Sequence, residues 1–169
     1  MADRPGDEEL AKWKRWFAVE CNNEAWGLAE APDLDARRSE RMLDAAHAAA
    51  YFWSDVGDDL NAARADMLLG HAHARAGDGE LALRYAERSY DYFARRETAD
   101  WEIAFANAVL AGAAAAAGRG DLHASRYEEA RRLGEAIADA EDRDIYLATF
   151  RQVPVPGARV DKVTARPGE

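Results

Sequence analysis

What the 169-residue sequence lacks narrows its reading quickly. It has one cysteine, Cys21, which excludes an internal disulfide framework and any multi-cysteine zinc site. Its longest apolar stretches fall well short of the roughly 20 residues that a membrane-crossing helix needs. The charged start, Met1 to Glu9, carries no secretory pattern, and the expectation is a cytoplasmic, soluble domain without membrane partners. Positive charge is in deficit: 22 Lys plus Arg against 32 Asp plus Glu give a net charge of −10. Without a local basic stripe, such a chain repels phosphate backbones, so no nucleic-acid partner is expected. β-branched residues are scarce until the last stretch, which disfavours strands. What the chain has in quantity is alanine, nearly a quarter of the residues. Alanine loses no side-chain entropy and buries no polar group in a helix, so the composition favours helix almost throughout.

Periodicity divides the chain. Residues 1–7, with Pro5 and Gly6, read as a flexible arm. From Glu8, Leu10, Trp13, Phe17, Cys21, Ala25 and Leu28 recur at steps of three and four, which predicts a first helix with Trp13 and Phe17 in the core. Pro32 and the Asp33/Asp35 pair mark a break. A second helix is predicted over Ala36–Asp55, closed by Gly57. A third follows over Leu60–Ala76, ending at Gly77-Asp78-Gly79. A fourth runs over Glu80–Arg96, a fifth from Thr98 or Asp100 to Gly118, and a sixth from about Asp121 to Ile137. A short helix over Asp142–Arg151 offers Ile145, Leu147 and Phe150 as a cap. The two prolines of Val153-Pro154-Val155-Pro156-Gly157 stop it, so residues 152–169 read as a tail that is extended, mobile or laid over a neighbouring surface. Six helices of similar length joined by short turns require antiparallel hairpins, within one all-α domain over residues 8–151.

An internal repeat stands out. Ala76-Gly77-Asp78-Gly79-Glu80-Leu81 matches Ala117-Gly118-Arg119-Gly120-Asp121-Leu122, an offset of 118 − 77 = 41 residues. Leu69 then falls on Leu110 and Glu87 on Glu128. Periods of this size are the signature of stacked helical hairpins.

These residues resemble the tetratricopeptide repeat. Leu69-Gly70 sits at that family's Leu-Gly pair, Gly77 at its turn glycine, and Ala82, Ala86 and Ser89 at the small packing positions of its second helix. Asp66 and His73 stand where the family has aromatics, no proline follows Phe93, and the 41-residue offset departs from the family's period of about 34. The resemblance implies a short α-solenoid of stacked hairpins, about six helices plus a C-terminal cap. It also implies a concave face, lined by the first helix of each hairpin, that holds a peptide or partner protein. Carried over, the groove positions are Arg64, Met67, His71, Ala74 and Arg75. The repeat offset adds Phe105, Ala108, Gly112, Ala115 and Ala116. Two arginines and a histidine over alanine and glycine would suit an acidic peptide or carboxylate.

A second constellation lies in the first hairpin. His47 and Tyr51 share a helix face with Asp44, and Glu20, Asn23 and Glu24 could lie opposite. Such a cluster could perform acid–base chemistry in a small-molecule-binding pocket, or fix helix register as a satisfied network. His71 and His73, two residues apart, cannot share a face. Without His-x-x-x-His or Glu-x-x-His spacing no metal is expected, and without a nucleophile elbow or phosphate loop no cofactor or catalytic residue is assigned. Trp16 and Trp26 fall off the main stripe and could anchor a partner or a second copy in a homodimer. Cys21, on the stripe, reads as inert.

Overall fold

The protein is described by a computed structural model over residues 5–157. The helix-by-helix expectation holds. Seven α-helices follow one another with no strand among the described residues: α1 Asp7–Ala29, α2 Ala36–Val56, α3 Asp59–Ala76, α4 Gly79–Phe93, α5 Asp100–Ala116, α6 Gly120–Glu135 and α7 Ala140–Phe150. Among them, no helix is long and apolar enough to cross a membrane. Most of the arm (1–4) and of the predicted tail (158–169) lies outside the described residues.

The helix starts are set by short polar side chains. The Asp35 carboxylate accepts the Arg38 amide at 2.8 Å. Asp58 accepts the Asn61 amide while the Asn61 carbonyl accepts the Asp58 amide, a reciprocal cap. The ends of α3 and α5 share one device. Gly77 and Gly118 adopt φ of 82° and 69°, which an L side chain rarely tolerates. In each case the following amide reaches back five residues, Asp78 to the His73 carbonyl (2.9 Å) and Arg119 to the Ala114 carbonyl (2.8 Å). The 41-residue sequence repeat is thus a repeat of backbone geometry.

Each helix touches the next, and α1, α3, α5 and α7 also touch in succession. Two apolar clusters share α3. One joins α1, α2 and α3 through Ala25, Ala29, Met42, Ala46 and Leu68. The other joins α3 to α7 through Met67, Ala86, Phe93, Val109 and Tyr146. Alanine is the main packing residue, and it permits close helix crossings. At Gly70 an added Cβ would stand 3.0 Å from the Ala86 amide nitrogen and 3.1 Å from a Val109 methyl, so α3, α4 and α5 meet where only hydrogen fits.

The stripe assignment for α1 needs correction. Its buried residues are Ala18, Ala25 and Ala29, while Trp13 and Phe17 are 50% and 42% exposed. The large rings were expected inside on hydrophobicity. The α1–α2 crossing is instead lined by methyls, and the rings form an outer patch with Trp16 and Phe52.

Candidate functional site

The α1/α3/α5 side of the molecule, where the groove was expected, carries α7 and the segment after it. Tyr146 donates its hydroxyl to the Ala130 carbonyl at 2.7 Å and packs edge-on to Phe105. Its ring fits because α6 has no side chain at Gly134, where an added Cβ would overlap it. The last turn of α7 and the residues after it reach the end of α1: Thr149 donates to the Glu30 carboxylate at 2.7 Å, and Gln152 donates to the Glu30 carbonyl. Val153 is buried over Gly112 of α5, and His123 Nε2 donates to the Pro154 carbonyl at 2.7 Å. This strap divides the face into two depressions.

The first, about 350 Å³, lies between α1, α3, α5 and α7. Trp26, Met67, Trp101 and Phe105 form its floor, with Arg64, Asn22 and Ile145 around it. Trp26 stacks on His71 and meets Phe105 edge-on. The Arg64 guanidinium donates two hydrogen bonds to one oxygen of Glu102, at 2.8 and 2.6 Å, and lies over the Trp101 ring. Glu102 is almost wholly buried, and its other oxygen accepts the Ala99 amide. Removing Arg64, whose side chain is partly exposed, would leave that buried carboxylate with the Ala99 amide alone, a loss of about 1–3 kcal/mol.

The second depression, about 440 Å³, lies between the ends of α3 and α5, the start of α6 and the strap. Its walls are largely apolar, from Ala114, Ala115, Ala116, Val153 and Val155. Its ionisable lining is His71, Arg75, Arg119 and His123, with no Asp or Glu, in a chain of net charge −10. Burial, with the Arg75 charge adding to it, holds His71 down at about 3, so its ring is neutral.

Nine of the ten groove positions therefore line a depression, but in two sets. Arg64, Met67 and Phe105 line the first; His71 and Arg75, with Ala74, Gly112, Ala115 and Ala116, line the second. Ala108 is fully buried and lines neither. The expectation of one open cationic groove is corrected in one respect. Both arginines are engaged within the molecule, Arg64 with Glu102 and Arg75 with the Ala29 and Ala31 carbonyls at 2.9 and 3.0 Å. Their partners lie 38 to 46 residues away in sequence. His123 was not singled out from the sequence. The signal was there: it falls 41 residues after Ala82, so an imidazole replaces a packing methyl.

The residues grouped around His47 do not converge on it. His47 turns to α3, where its Nε2 lies 3.1 Å from His73 Nε2, and Tyr85 stacks on His73. Glu24 instead pairs with Arg41, Asn23 bonds Asn22, and Tyr51 and Glu20 are exposed. Burial, then the neighbouring His47, lower the His73 pKa; Asp78 at 3.7 Å acts the other way. His71 and His73 do face different ways, one onto Trp26 and the other onto Tyr85. No cluster of three or more His, Cys, Asp or Glu able to hold a metal occurs among the described residues. Of the two tryptophans read as anchors, Trp16 is half exposed and Trp26 is partly buried in the first depression. Cys21 is partly buried, which pushes its thiol pKa up.

Compared with known proteins, the chain matches no protein-family model, no curated protein and no solved structure. Function has to be argued from the two depressions themselves.

Proposed function

We propose that the chain is a non-catalytic helical-repeat binding module of tetratricopeptide-like build, which holds a peptide or partner protein in the cytoplasm. The single observation that carries this reading is the aromatic cleft of Trp26, Trp101 and Phe105 over Met67, open beside the exposed Ile145. Aromatic rings offer large, rigid contact area at low entropic cost, and burying one aliphatic side chain there is worth about 1.5–3 kcal/mol. The cleft accommodates one or two apolar side chains of a bound segment. Its two charged lining residues suit binding rather than reaction, because Arg64 is held by Glu102 and Glu30 accepts from Thr149. Asn22 can hydrogen-bond the backbone of the bound chain.

The test is selection of peptides from a displayed random library against the full chain, followed by titration of the winners. Ile145→Glu, at an exposed rim position, should weaken them tenfold or more, while Trp16→Ala on the outer α1 patch should leave them unchanged. Winners that ignore Ile145→Glu and respond to Trp16→Ala would overturn the assignment and place binding on the α1 rings.

A further inference from the structure

The second depression has a different character from the peptide cleft and stands independently of it. We infer that it is a binding site for a small organic acid, with the carboxylate held at the start of α6 and the apolar body lying under the strap. Four observations converge. The lining is cationic or neutral throughout, with Arg75 and Arg119 and no acid, although the chain as a whole is strongly acidic. Helix α6 begins at Gly120, which lines the cavity, and no side chain caps it, so the amides of its first turn have no partner within the helix. Gly118 and Gly120 present bare backbone, and an added Cβ at either would meet nothing within 4 Å. Finally, His71 lines the cavity at 3% exposure, and its Nε2 has no hydrogen-bond partner. A buried imidazole nitrogen without a partner is destabilising, and a ligand oxygen within reach would satisfy it.

The volume lies within the roughly 300–1,000 Å³ of small-molecule sites. The alanine, valine and proline walls favour a hydrocarbon body over a polyphosphate, since a polyanion would leave its outer charges against apolar surface. Arg119 is exposed and free to swing onto the carboxylate, while Arg75 contributes charge from the wall it also braces. His123 holds the strap by the Pro154 carbonyl and so keeps the roof in place.

The experiment is an amide NMR titration of the full chain with hexanoate and octanoate, using hexanol and hexylamine as controls. Saturable shifts are expected at Gly118, Gly120 and His123 for the acids, with the alcohol and amine at least tenfold weaker. Arg119→Glu, an exposed change that leaves packing intact, should weaken octanoate about fivefold or more, and Ala115→Phe should fill the cavity and abolish saturation. Should Ala115→Phe fail to fold, Arg119→Glu still decides. Equal binding of hexanol and hexanoate, shifts confined to the Trp26–Phe105 cleft, or no saturable response to either acid would overturn the assignment. The peptide proposal survives all three results.

Discussion

The hinge between α3 and α4 and the hinge between α5 and α6 have the same backbone and opposite surroundings. Both turn on a left-handed glycine, Gly77 or Gly118, and both send the next amide back to a carbonyl five residues earlier. At the first hinge Asp78 then caps α4 by accepting the Leu81 amide, and Gly79 is pressed against the backbone of Ala117. At the second, Arg119 replaces the aspartate, α6 is left without a side-chain cap, and Gly120 faces open space. The first hinge is a packed joint at Gly79 because the end of α5 lies against it, whereas Gly120 stays open to the cavity. The helices before the hinges differ in the same sense. His71 and His73 of α3 correspond, at the same 41-residue offset, to Gly112 and Ala114 of α5. The first unit fills its space with imidazoles, and the second leaves room for Val153.

The largest effect expected from breaking this comparison is at the paired glycines. At Gly79 an added Cβ would sit 2.5 Å from the Ala117 backbone, which cannot move aside as a side chain could. Gly79→Ala should therefore cost about 3 kcal/mol, whereas Gly120→Ala should stay within about 0.5 kcal/mol, both read from urea unfolding midpoints. Equal costs would show that the two hinges are not packed differently.

Next in size is the acid sensitivity of the α3 half. The unfolded chain protonates His71 near 6.5, but the folded chain not until about 3. The stability this contributes is complete above pH 6.5 and is lost as pH falls from 6.5 towards 3, at about 1.4 kcal/mol per unit. Over two units this is roughly 2.7 kcal/mol. His71→Phe, which can keep the stack on Trp26, should flatten that limb in unfolding measurements at pH 6.5 and 4.5. An unchanged slope would remove His71 from the account.

Smaller still, Gly77→Ala and Gly118→Ala should each cost about 1 kcal/mol, because both share the left-handed backbone angle and neither has a neighbour within 4 Å of an added Cβ. Last, Asp78→Ala should cost about 0.5–1 kcal/mol through loss of the α4 cap, and Arg119→Asp should gain a similar amount by creating one on α6. A loss of stability in Arg119→Asp would mean that the second hinge is not an uncapped copy of the first.

The fold was legible because it is written locally. Pro32, Asp35, Asp58 and the two Gly-x-Gly turns punctuate the chain, and alanine between them leaves little alternative to helix. The end of α4, at Phe93 rather than Arg96, the end of α6, at Glu135 rather than Ile137, and the start of α7, two residues early, differ noticeably. Misreading α1 had a physical cause. Hydrophobicity ranks Trp13 and Phe17 above Ala18 and Ala25, but a close crossing of two helices selects the smaller side chain. The candidate site was half legible. The repeat pattern pointed to the residues on one face, and those residues do line the two depressions. It could not show that α7 and Val153 lie across that face, nor that Arg64 finds Glu102, since no spacing rule connects partners so far apart in sequence.

The second depression takes its roof from the segment around Val153. An NMR experiment on the full chain that looks for nuclear Overhauser contacts between the Val153 methyls and the α-protons of Gly112 tests it most directly. Strong contacts, with Val153 methyl shifts displaced from random-coil values, are the expected result. Methyls at random-coil shifts with no contact to α5 would mean that this part of the face is bare, and the second site would lose its roof.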